Sequence, residues 1–273
     1  MHAQWAAGVI FVAMCAAGCA KSGGQVDVEP ALDGYQAALA AVLTAFEQAL
    51  GLPRADVRLV LFSDRRSFEQ GLVKAGYPPG LARSASSFAA IGGARVVLVN
   101  AAVVNRFNRA GRVQLVAHEL VHSLQYQFGG GTRGASEQWL REGFAEWVSY
   151  RVTDHLGLVP FDSLRKELLG PLSRVRFGPV PLDELVTFPQ WVEAQGRYES
   201  PLYAQAFVAA ELLIEMRGVP AIIGYFERFR TTTEHERAFA DAFGMERAAF
   251  DRIFARRWHE TVAQIRAVRA SER

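Results

Sequence analysis

The residues best suited to chemistry in this 273-residue chain lie together as Ala117-His118-Glu119-Leu120-Val121-His122. They read H-E-x-x-H inside a run of helical periodicity. On a helix, positions i and i+4 share a face, so His118 and His122 can reach one metal ion. Glu119 sits about a hundred degrees round the helix from His118, within reach of a water on that ion. Zinc in a hydrolase takes three protein ligands and keeps one position open. Two nitrogens are thus provided, and a third ligand must come from elsewhere.

The elements that position these groups follow from the apolar pattern. Val113, Val116, Ala117, Leu120, Leu124 and Phe128 form one face of a helix. His118, Glu119 and His122 fall roughly opposite. One face is therefore expected to anchor the helix, and the other to present polar groups inward or into a cleft. Gly129-Gly130-Gly131 ends the run. A second helix is expected from Ser136, a suitable N-cap, to Thr153.

That second helix carries Glu142 and Glu146 at i and i+4, again on one face. Glu142 is the preferred third ligand, because the 19 residues between it and His122 allow a helix end, a turn and a helix packed back. Glu146 is placed one turn on to hydrogen-bond a ligating histidine, by preference His118, and so fix its tautomer. Zinc lowers the pKa of a bound water from 15.7 to about 7. Glu119 would then act as general base and return the proton to the leaving nitrogen. Tyr203, His235 and Tyr198 are candidate donors to the oxyanion, and spacing does not select among them. Tyr203 equally suits core packing. His155 and His259 read as surface or loop residues.

Upstream, a helix over Leu32–Leu50 stops at Gly51 and Pro53, and Val57–Phe62 reads as a strand. Ser63-Asp64 suits the cap of a helix running to about Lys74, and Gly76–Gly80 reads as a loop. Ser86–Ile91 and Arg95–Asn100 read as strands of a hairpin turning at Gly92-Gly93. Downstream, helices fit Ser200–Met216, Pro220–Arg230, Glu234–Phe243 and Glu246–Val268. Strands first and helices afterwards argue an α+β fold. A small N-terminal β-sheet would pack on the active-site helix, followed by a mostly helical C-terminal subdomain. The expected organisation is an export segment and tether over 1–24, an α/β subdomain over 30–128 ending in the H-E-x-x-H helix, and a helical subdomain over 132–270 supplying the third ligand.

Composition narrows the partners. Half the residues are hydrophobic, 21% are charged and the formal net charge is +2. That charge is too small to imply nucleic acid. Trp5–Ala20 carries no charge and is too short to span a bilayer, as in a secretory signal. Ala16-Ala17-Gly18-Cys19 resembles a bacterial lipoprotein signal, with Cys19 as the lipid acceptor. Both cysteines lie in this segment, so the rest of the chain has no disulfide. The expected location is the bacterial cell envelope, with a lipid anchor in the membrane.

The H-E-x-x-H string followed by Trp139-Leu-Arg-Glu142-Gly-Phe-Ala-Glu146 resembles the gluzincin clan of zinc metallopeptidases, the thermolysin-like enzymes. More narrowly it is similar to peptidase-MA-like envelope proteins whose second helix reads W-L-x-E-G-x-A-E. Ser200-Pro-Leu-Tyr203-Ala-Gln-Ala-Phe207-Val208 and the Ala242–Met245, Phe250 and Trp258 pattern resemble later helices of that branch. The resemblance spans about Val57 to Trp258. It implies Zn²⁺ held by His118, His122 and Glu142, Glu119 as the catalytic carboxylate and Glu146 as a supporting acid. It also implies a sheet whose edge strand aligns an extended peptide. The third histidine of metzincins is absent, since Phe128 stands there. The expected function is a zinc metallopeptidase acting on peptide or protein. The alternative is a non-catalytic envelope lipoprotein that keeps a structural zinc site.

Overall fold

A computed structural model describes residues 35–131, 136–198 and 201–271. The expected export segment, Cys19, the tether and Ser200 lie outside those residues. The fold is α+β, mostly helical with one small sheet. No described helix is long and apolar enough to cross a membrane. The chain divides into two compact units. One takes the chain up to Ser123 with Arg151–Pro160, the other Leu124–Tyr150 with Phe161–Arg273.

In the first unit, α1 (Tyr35–Leu50) buries Leu39, Val42, Leu43 and Phe46, the i, i+3, i+4, i+7 spacing of one helical face. It ends where Gly51 turns to φ 61°, and the Leu52 N–H reaches back to the Phe46 carbonyl at 2.9 Å. Strand β1 (Arg58–Phe62) leads to α2 (Arg65–Lys74), capped by Asp64, whose side chain accepts from the Ser67 N–H at 2.9 Å. The expected loop at Gly76–Gly80 instead runs into a short helix, α3 (Pro79–Ala85), with proline at its first position. Two prolines and two glycines in five residues mask that start.

Strand β2 (Ala90–Gly92) is shorter than the Ser86–Ile91 expectation and includes Gly92. It pairs antiparallel with β3 (Val96–Asn100), and the Gly93 N–H bonds the Val96 carbonyl at 2.7 Å across the turn. β1 joins β3 in parallel, so the sheet order is β1-β3-β2. A parallel pair needs a crossover, and α2 and α3 provide it. Phe68, Leu72, Ala82 and Ala85 pack on the Leu98 side of the sheet. A single turn, α4 (Ala101–Val104), follows, and then the long helix α5 (Arg109–Phe128).

Helix α5 passes from the first unit to the second at Ser123, and α6 (Gln138–His155) returns to the first at Arg151. The rest of the second unit is helical: α7 (Phe161–Leu169), two short 3-10 turns, α8 (Phe188–Arg197), α9 (Leu202–Arg217), α10 (Val219–Arg228), α11 (His235–Phe243) and α12 (Arg247–Ser271). Its core is aromatic. Trp139 stacks on Phe250 at 5.9 Å, Tyr225 on Phe243 at 5.6 Å, and Phe239 lies 4.6 Å from Phe243. Such pairs bury large area in defined geometries.

Candidate metal centre

Helix α5 brings the two histidines together by local geometry alone. Their Nε2 atoms lie 3.1 Å apart, with rings edge to face at 86°. His118, Glu119 and His122 are all buried. So are the residues of the apolar face, from Val113 through Leu124. The helix is covered on every side, so the polar face points inward, one of the two outcomes the wheel left open. Periodicity reports which residues share a face; it does not report what covers that face.

Glu119 is held by the sheet. The Gly92 N–H donates to its Oε2 at 2.5 Å. A Cβ at Gly92 would collide with the Glu119 carbonyl and crowd the Glu119 carboxylate and the His122 Cβ. Only glycine lets strand β2 come this close to the helix. The sequence reading treats Gly92 as a turn residue. The structure makes it the partner of the expected catalytic carboxylate.

Glu142 is held differently, by the interior of the second unit. The Gln138 amide donates to Glu142 Oε1 at 2.6 Å. Arg141 donates from Nη1 to Gln138 Oε1 at 3.1 Å and from Nε to the Ser136 hydroxyl at 2.8 Å. Gln125, three residues beyond His122 on α5, donates to the Arg141 carbonyl at 2.9 Å. Ser136 therefore serves as the acceptor for Arg141, and the helix itself begins at Gln138. Behind Glu142, a Cβ on Gly143 would collide with the Ala206 backbone and the Ala210 side chain, so α6 rests directly on α9. Glycine inside a helix destabilises it by about 1 kcal/mol relative to alanine, and here it allows close helix contact.

The start of α6 is fixed by charge. Glu137 pairs with Arg247 of α12, both deeply buried, and the Glu137 N–H donates to the Tyr225 hydroxyl at 3.0 Å. The Arg247 guanidinium also lies 5.2 Å over the Trp139 ring. Burial pushes Arg247 below its ordinary pKa, and the Asp251 carboxylate works against that shift. Burial also pushes the Tyr225 phenol well up, so it stays protonated.

The ligand atoms of His118, His122 and Glu142 all lie within 4.8 Å of one another, and this buried group could hold a metal ion. The donor set fits one. Two nitrogens on a tetrahedral zinc, each about 2.0–2.1 Å from it, lie about 3.3 Å apart. The observed 3.1 Å between the Nε2 atoms is close to that spacing.

Glu146 is buried one turn beyond Glu142. Tyr203 is half-buried on α9 with its ring edge-on to Trp191 at 5.2 Å. Tyr198 donates its hydroxyl to Glu184 at 2.7 Å, and His235 lies 3.7 Å from Glu236, so both have other partners. His155 and His259 are exposed, as expected. Gln125, Gln138, Gly92 and Gly143 were not picked out by sequence reasoning. The Gln138–Glu142 spacing of i, i+4 was the available signal for one of them. No known family model, curated protein or solved structure matches this chain.

Proposed function

We propose that the chain is a zinc-dependent metallopeptidase of the gluzincin type, exported to the bacterial cell envelope and tethered there through Cys19. The observation that carries this reading is a carboxylate, Glu119, buried beside a His-His-Glu group fit for a metal. Bound zinc would polarise the scissile carbonyl and acidify a water. Glu119 takes the proton that the attacking water loses. As the C–N bond breaks, Glu119 gives that proton to the leaving nitrogen. The Gly92 N–H, which donates to this carboxylate, would orient it for the exchange. Glu146 supports a histidine ligand, and Tyr203 is the donor proposed for the developing oxyanion.

One observation favours a second reading. Every member of the group is buried, and structural zinc sites are closed whereas catalytic ones keep an open position. The alternative is therefore an envelope lipoprotein in which zinc braces the fold for binding or assembly. Glu119→Gln separates the two. In the peptidase reading, the variant keeps wild-type zinc content and loses about 10²–10⁴-fold in cleavage of an unstructured peptide. Wild-type protein that binds zinc but cleaves no peptide would leave the structural reading. Glu142→Ala should lower zinc affinity in either case; unchanged stoichiometry and affinity would remove Glu142 from the ligand set.

A further inference from the structure

We infer that Gln138 is a positioning residue for the third ligand, aimed by Arg141, and that it holds one oxygen of Glu142 so that the other faces the metal. This rests on the His118-His122-Glu142 site proposed above, and it concerns residues that neither the motif nor the spacing assigns.

The argument starts from the amide. An Asn or Gln side chain can be turned either way, and its partners decide which end is oxygen. Gln138 lies between a guanidinium, which only donates, and a carboxylate, which when ionised only accepts. Arg141 Nη1 lies 3.1 Å from Gln138 Oε1, and the Gln138 amide nitrogen lies 2.6 Å from Glu142 Oε1. The reverse orientation would set donor against donor at one end and acceptor against acceptor at the other. The cation therefore fixes the amide, and the amide fixes the carboxylate.

The chain is buried throughout. Ser136, Gln138, Arg141 and Glu142 are each less than a tenth exposed. Hydrogen bonds in series in a low-dielectric interior polarise one another. Arg141 is itself oriented by Ser136 at 2.8 Å, so the series has a fixed far end. The Gln125 amide ties the Arg141 carbonyl to α5 at 2.9 Å. The residue preceding Glu142 is thus anchored to the helix that carries both histidines. Partners of this kind orient metal ligands, and their loss typically weakens metal binding about 10–100-fold.

The test uses Gln138→Met, which keeps the volume and removes the amide. Zinc affinity is measured by chelator competition. The visible spectrum of the cobalt-substituted protein reports coordination geometry, and the apo protein's thermal midpoint reports folding. The expected result is about 10–100-fold weaker zinc binding and an altered cobalt spectrum. If Gln138→Met does not fold, Arg141→Met provides the same readouts, because it leaves the amide in place but no longer aimed. It is expected to show a smaller loss of the same kind. Zinc affinity within twofold of wild type, with a superimposable cobalt spectrum, overturns the inference. Wild-type protein that binds no zinc at all overturns the metal site itself, which is a different outcome.

Discussion

Glu119 and Glu142 are both buried carboxylates on successive long helices, and they are held by opposite means. Glu119 is held by a backbone N–H, that of Gly92 in a three-residue strand. Glu142 is held by a side chain, Gln138, which a second side chain orients. A backbone donor is present at any residue but proline, so the first arrangement depends mainly on space. A side-chain donor exists only while its chemistry is kept, so the second depends on residue identity. The proposed general base, Glu119, is positioned by shape, and the proposed third ligand, Glu142, by a polar network in an aromatic core.

The comparison is broken most severely at the start of α6, where identity should matter most. Glu137→Ala removes the buried partner of the Arg247 guanidinium and leaves it the partly exposed Asp251 carboxylate. Removing one member of such a pair destabilises by about 3–5 kcal/mol. Urea unfolding of that variant beside the double variant Glu137→Met, Arg247→Met checks it. The double variant should recover much of the loss, since replacing a buried pair by apolar groups is often close to neutral. Equal loss in both would show that the second unit is held by packing and not by charge.

Gly92→Val tests the opposite half. Its branched side chain must enter space filled by the Glu119 carbonyl and the His122 Cβ. Overpacking of this sort costs about 1–3 kcal/mol, read as a lower urea midpoint. Gly92→Ala should fall between Val and wild type. If volume at this position has no effect on stability, Glu119 is not held by shape.

The smallest effect belongs to the cap of α2, far from either carboxylate in the sequence. The Ser67 N–H, followed by the Ser63 hydroxyl, holds the exposed Asp64 below its ordinary value of 3.8. A depressed folded pKa gives stability that is complete above the unfolded value and is lost as pH falls through the folded one. Asp64→Ala should lower the thermal midpoint slightly at neutral pH, and the difference from wild type should shrink below about pH 4. A constant difference down to pH 2 would remove the ionised cap from the explanation.

Much of the site was legible in the sequence because it is local. The i, i+4 spacing places His118 and His122 on one side of α5 without reference to any other residue. Glu142 was legible at one remove, through helix length and turn length. The cap of α2 is legible as Ser63-Asp64 because a cap is satisfied within three residues, and the structure gives the role to Asp64. The α3 helix was missed because its proline and glycine residues read as a loop. Periodicity leaves open whether the polar face of α5 points inward or into a cleft, because a mixed polar and apolar helix carries the same pattern in both cases.

The sequence by itself determined that two histidines and a glutamate share one helix and that a carboxylate-bearing helix follows. Helical geometry is periodic and short-ranged, so residue spacing is enough. Only the tertiary structure decided what holds each carboxylate. Gly92 reaches Glu119 across 27 residues of chain, and Arg247 reaches Glu137 across 110. Such partners are chosen by how sheet and helices pack, and their spacing in the sequence carries no mark of it.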